Sequence, residues 1–169
     1  MMQTVDEAAH AQDEHQRREG KMSRCVWLVE DDEQIRDLIA ALLRTEGYEV
    51  VELCDGMEAL NHLAVAEVYD REVPTPDLVV ADILMPHFSG LDVLAGMRES
   101  QLCPPVLVVT GVRDPEVHSE AKRLGATGVI SKPFDVDTLL HAVDQSLGQR
   151  IPARQQPADE STSATITES

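Results

Sequence analysis

Five short apolar runs, each followed by an amphipathic helical stretch, constrain this chain more than any other feature. Strands that are apolar along their whole length are buried on both faces. With helices between them they make a parallel sheet covered on both sides, and crossover handedness leaves only a few doubly wound topologies. The first run, Arg24 to Val29, ends at Glu30-Asp31-Asp32. A helix follows with Ile35, Leu38, Ile39, Leu42 and Leu43 on its apolar stripe, and Gly47 ends it. Tyr48 to Leu53 is a second strand. Asp55 and Glu58 have the spacing of a capping box for a helix through Leu60 and Leu63, and residues 67–76 form a loop with Pro74 and Pro76.

The third strand, 77–82, ends on Asp82, and Pro86 and Gly90 then turn the chain into a helix from Gly90 to Glu99. Pro104-Pro105 precede a fourth strand, Val106 to Thr110. Asp114 caps the next helix with Pro115 at its first position and Gly125 past its end. Val129-Ile130-Ser131 is the core of a fifth strand. Lys132-Pro133 follows, and Asp135 caps a last helix that carries Val136, Leu139, Leu140, Val143 and Leu147 and closes at Gly148.

Carboxyl ends of parallel strands share one edge of the sheet, and ligands of open α/β sheets bind there. That edge collects Glu30, Asp31, Asp32, Asp82, Thr110 and Lys132. Carboxylates packed this closely repel and call for a compensating cation. Hard oxygen ligands suit Mg²⁺. A metal, a strand-end carboxylate, a hydroxyl and an ammonium together suit phosphoryl transfer, with the carboxylate as nucleophile. Each residue alone more often has a structural role; the conjunction at the ends of the right strands is what points to chemistry.

Val29-Glu30-Asp31-Asp32, Asp82-Ile83-Leu84-Met85-Pro86 with Gly90, Val109-Thr110-Gly111 and Ser131-Lys132-Pro133-Phe134 together resemble the receiver domain of bacterial response regulators, from about Arg24 to Gly148. The resemblance implies an α/β, flavodoxin-like fold of five parallel strands in the order 2-1-3-4-5 with five helices. It implies that Asp82 accepts a phosphoryl group from a phosphohistidine of a histidine kinase or histidine phosphotransfer protein. It further implies that Asp31, Asp82 and the Leu84 backbone carbonyl bind Mg²⁺, with Glu30 holding a metal-bound water. Lys132 would pair with one phosphoryl oxygen and Thr110 with another, helped by the Gly111 N–H, and Lys132-Pro133 would be cis. Where the family usually has Tyr or Phe three residues before the lysine, this chain has Val129. Its coupling of Thr110 to the surface must therefore run without an aromatic rotamer change. Leu84 and Val112, two residues after Asp82 and Thr110, cannot position an attacking water, so self-hydrolysis is expected to be slow.

Composition bounds the rest. The formal charge is −17, and residues 24–148 carry 23 acidic against 9 basic residues. Such a field repels phosphate backbones and argues against nucleic acid as a partner. No apolar run is long enough to span a membrane and no apolar signal core opens the chain, which reads as cytoplasmic. Cys25, Cys54 and Cys103 lack metal spacing and read as reduced thiols in or near the core. Residues 1–23 read as a flexible polar arm and 149–169 as a disordered polar tail, too short for a helix-turn-helix module. The sequence thus reads as a stand-alone response regulator, not an enzyme, with output by protein contact to an unnamed target or by onward phosphotransfer. Two alternatives are a pseudo-receiver that binds without being phosphorylated and a phosphohydrolase of the haloacid dehalogenase type. The latter family has a second acid two residues after its nucleophile, where this chain has Leu84. A homodimer is left open by the polar surface that includes His118, Glu120 and His141.

Overall fold

The computed structural model describes residues 24–68 and 73–148. The polar arm and tail lie outside these residues. Five strands alternate with five helices: β1 (Cys25–Val29), α1 (Glu33–Thr45), β2 (Glu49–Leu53), α2 (Gly56–Val68), β3 (Leu78–Asp82), α3 (Gly90–Glu99), β4 (Val106–Thr110), α4 (Pro115–Arg123), β5 (Gly128–Ser131) and α5 (Val136–Gly148). All pairings are parallel, as the apolar strands imply, and the order is β2-β1-β3-β4-β5, as the family resemblance implies.

Successive residues of a strand point to opposite faces, so each strand feeds two cores. Trp27, Val29, Val79, Ala81, Val106 and Val108 meet Ala59 and Leu63 of α2, Val93, Leu94 and Met97 of α3, and Ala121 of α4. Val26, Leu28, Leu78, Val80, Leu107 and Val109 meet Ile39, Ala40 and Leu43 of α1 and Leu139 and Val143 of α5. Trp27 is wholly buried, its indole N–H donates to the Pro74 carbonyl at 3.0 Å, and its ring meets the His62 ring edge-on at 6.0 Å. These two apolar layers supply most of the folding free energy.

Local signals start the helices where expected. Asp32 accepts from Gln34 and Ile35 N–H at the start of α1, and Asp114 accepts from Glu116 N–H ahead of Pro115. Ser89 and Asp92 form a complete capping box on α3. Gly47 and Gly125 have positive φ just past α1 and α4, where a left-handed residue closes a helix.

Four expectations need correction. Asp55 caps α2, yet Glu58 reaches back to Cys54 N–H and not to Asp55, one residue short of the reciprocal box. Helix α2 runs on through Val68, so the loop begins later than residue 67. Leu38 is 62% exposed and Val136 44%, because the apolar stripes of α1 and α5 are wider than the sheet surface they cover. Cys25 is buried and Cys103 half-buried, but Cys54 is exposed.

Candidate functional site

Strand order reverses between β1 and β3, whose registers place Val29 beside Ala81. The next residue on each strand is an acid, so Glu30 and Asp82 emerge side by side at the sheet edge. Both are buried. Asp31, exposed, completes a trio whose carboxylate oxygens lie within 4.8 Å of one another. Asp32, the third acid of the run, turns away to cap α1.

Lys132 reaches into this cluster from the end of β5. Its Nζ donates to Glu30 Oε2 and to Asp82 Oδ2, each at 2.7 Å. The Lys132 amide is fixed in turn by the Thr110 carbonyl at 2.7 Å, and the Lys132-Pro133 peptide is cis. Burial pushes the Glu30 carboxyl above its ordinary range, against the hydrogen bond and charge of Lys132 that pull it down. Burial also works against the Lys132 ammonium, but the hydrogen bonds and charges of Asp82 and Glu30 outweigh it and hold the group above its usual value.

The backbone around Asp82 is tightly set. Its Oδ1 accepts from Leu84 N–H at 3.0 Å, and the Leu84 side chain is 60% exposed at the lip. Gly90 N–H donates to the Ile83 carbonyl, and a Cβ on Gly90 would lie 2.2 Å from the Asp82 carbonyl oxygen. Only glycine lets α3 start this close to the acidic strand end. His87, at φ 64°, takes the left-handed turn between them.

Thr110 ends β4 on the other side of Asp82 and is fully buried. Its Oγ accepts from Val112 N–H at 3.0 Å, and Gly111 between them is exposed with open space about it. The structure therefore gathers Glu30, Asp31, Asp82 and Lys132 into one contact cluster, with Thr110, Gly111 and Leu84 at its margin. Val129 lies half-buried against the α2–α4 core layer.

Two supporting residues escape sequence reasoning. Arg36 Nη1 donates to the Glu30 carbonyl at 2.8 Å while its Nε faces Glu52 at 3.7 Å, so it pins the acidic turn. A cation in the first turns of a helix is badly placed for the helix dipole. That mismatch, just after an acidic run, is the signal that would have found it. His118 of α4 has Nε2 2.8 Å from the Val112 carbonyl oxygen. Nothing in its sequence context marks it.

Three carboxylates against one ammonium leave uncompensated negative charge at a partly open, all-oxygen site. A divalent cation of the Mg²⁺ type fits that donor set.

The family model for the response regulator receiver domain matches residues 26–144. The chain is 32% identical over 146 residues to the transcriptional regulatory protein PdtaR of Mycobacterium tuberculosis, an alignment covering 86% of this chain and 65% of that protein. It therefore spans less than two thirds of that relative's length. It is 29% identical over 126 residues to sporulation initiation phosphotransferase F of Bacillus subtilis, covering 75% of this chain and 95% of that one. Among solved structures, the chemotaxis protein CheY4 of Vibrio cholerae superposes with a TM-score of 0.63 at 32% identity, over 73% of this chain and 98% of that chain. No described helix is long and apolar enough to cross a membrane. The sheet order, the acidic strand ends and the span of the family match agree, and the chain belongs to the response regulator receiver domains of two-component systems.

Proposed function

We propose that the chain receives a phosphoryl group on Asp82 from a phosphohistidine and signals by contact with another protein or by passing the group on. The observation that carries this reading is the shared Lys132 ammonium: it holds Glu30 and Asp82 side by side, with Asp31 completing the acidic trio. An Asp82 carboxylate oxygen attacks phosphorus, the P–N bond breaks, and its electron pair leaves on the donor imidazole, giving an acyl phosphate. Asp31, Asp82 and the Leu84 carbonyl would hold Mg²⁺, with Glu30 orienting a bound water. The ion would supply positive charge to the phosphoryl oxygens.

The chain's own residues do the remainder. Lys132 transfers one of its hydrogen bonds to a phosphoryl oxygen, keeping an ammonium where negative charge grows. Thr110, whose oxygen already accepts from Val112 N–H, keeps its own proton to donate to a second phosphoryl oxygen. The Gly111 N–H adds a further donor. Leu84 and Val112 present apolar side chains at the margin, so water is poorly placed to attack the acyl phosphate. The donor is a histidine kinase or histidine phosphotransfer protein; sporulation initiation phosphotransferase F, a relative of nearly this domain's size, carries phosphotransfer in its name.

The test is incubation with acetyl phosphate and Mg²⁺, followed by intact mass over time, with Asp82→Asn as control. A single phosphoryl adduct that needs both Mg²⁺ and Asp82, and that decays slowly, is expected. Rapid decay would contradict the roles given to Leu84 and Val112. No adduct from acetyl phosphate or from a phosphohistidine donor, in folded protein, would make the chain a pseudo-receiver. Turnover of a small phosphate ester would point to a phosphohydrolase.

A further inference from the structure

The loop between β4 and α4 is held at one residue by two side chains. Val112 gives its N–H to the buried Thr110 Oγ at 3.0 Å, and its carbonyl faces His118 Nε2 at 2.8 Å. A carbonyl can only accept, so His118 Nε2 carries a proton in this contact. His118 is half-buried and sits one turn into α4, its amide on the Asp114 carbonyl at 3.3 Å. Asp114 caps the same helix. The imidazole is therefore anchored to a rigid element, while the residues it restrains, Gly111 to Arg113, form no regular structure.

We infer that His118 is a positioning residue for the phosphoryl-acceptor site: through Val112 it fixes the Thr110 hydroxyl and the Gly111 amide, and ties both to α4. This rests on the reading of Thr110 and Asp82 given above. The physical logic is one of preorganisation. Thr110 Oγ points its lone pair at Val112 N–H only while Val112 stays in place. That bond leaves the hydroxyl's single proton to donate. Release of the Val112 carbonyl lets the peptide rotate, and the hydroxyl then loses the partner that sets its rotamer. The same bond makes α4 a reader of the site. Any pull of Thr110 toward a phosphoryl group passes through Val112 to His118 without an aromatic at Val129. Coupling of this kind is reciprocal, so whatever binds α4 also biases Thr110.

The experiment compares the full chain with His118→Leu, which keeps bulk but cannot donate, and His118→Gln, whose amide nitrogen stands about where Nε2 stands. Three readouts are taken: the ¹⁵N–¹H resonances of Gly111 and Val112 without any phosphodonor, the rate of Asp82 phosphorylation by acetyl phosphate at saturating Mg²⁺, and Mg²⁺ affinity. His118→Leu is expected to move both resonances and to slow phosphorylation about fivefold, the size of one net hydrogen bond. Mg²⁺ affinity should not change, since no ligand is touched. His118→Gln should restore the resonances and most of the rate, which a packing role would not allow. Unmoved resonances or an unchanged rate in His118→Leu would overturn the inference. Equal loss in both variants would do the same. If the leucine variant does not fold, the glutamine variant and its Val112 resonance decide. If the parent chain takes no phosphoryl group at all while the resonances respond, the function proposed for Asp82 fails, and with it the positioning role of His118.

Discussion

At the scale of single residues, the site stores electrostatic tension. The Glu30 carboxyl is displaced above its ordinary 4.5 by burial, so between that value and its folded one the native state keeps a proton that the unfolded chain has lost. Stability therefore falls as pH rises through this window, and the loss persists at neutral pH. Glu30→Gln should raise the melting temperature at neutral pH in chelator and flatten the acid-side slope, as read by thermal melts across that range. Lys132, also raised, is stabilising at neutral pH where Glu30 is not. Its ammonium is held above 10.5, so its contribution is complete below that value and disappears as pH climbs past the folded one. Lys132→Met would leave Glu30 and Asp82 facing each other unneutralised. Breaking a buried ion pair from one side costs about 3–5 kcal/mol, and the partial exposure of Lys132 puts this case at the lower end. Urea unfolding would measure it, and Mg²⁺ should return part of the loss.

At the scale of elements, close backbone approach sets the geometry. Helix α3 starts against the end of β3 with no room for a methyl group at Gly90. Gly90→Ala should destabilise by about 1–3 kcal/mol, toward the top of that range because the atom met is backbone. It should also slow acetyl phosphate labelling by more than the lost stability explains, since the displaced atom belongs to Asp82. Much at this scale was legible beforehand. Apolar runs located the strands to within a residue, and Asp114 and Asp135, read as caps, sit where helices begin, while the caps Asp32 and Ser89 emerge only in the structure. Strand-end chemistry named Glu30, Asp31, Asp82, Thr110 and Lys132 because they converge on one sheet edge, and it named Asp32 with them, which instead caps α1. Arg36 and His118 stayed hidden because both act on backbone carbonyls, and every residue has one. Leu38 misled because periodicity reports an apolar stripe, not the width of the surface that covers it.

At the scale of the whole molecule, the acidic excess sets how folding answers to ions. Residues 24–148 hold 23 acids and 9 bases, and among the described residues Glu30, Asp31 and Asp82 converge at one sheet edge. Added NaCl should raise the melting temperature modestly by screening exposed charges. Mg²⁺ should act far below such concentrations, adding about 2.7 kcal/mol at a hundred times its dissociation constant. Asp31→Asn should remove most of the Mg²⁺ increment and leave the NaCl effect, which separates site binding from screening in one titration series.

The packing of Trp27 has an optical consequence. It is the chain's one tryptophan, sealed in the α2–α4 core layer with its N–H on Pro74. A dry indole emits toward the blue, and exposure on unfolding shifts it to the red. Because Trp27 sits in mid-strand, away from the acidic lip, its emission should ignore occupancy of Asp82 and follow only the global transition. Fluorescence alongside mass spectrometry would then tell, for every variant above, whether it has lost its chemistry or its fold.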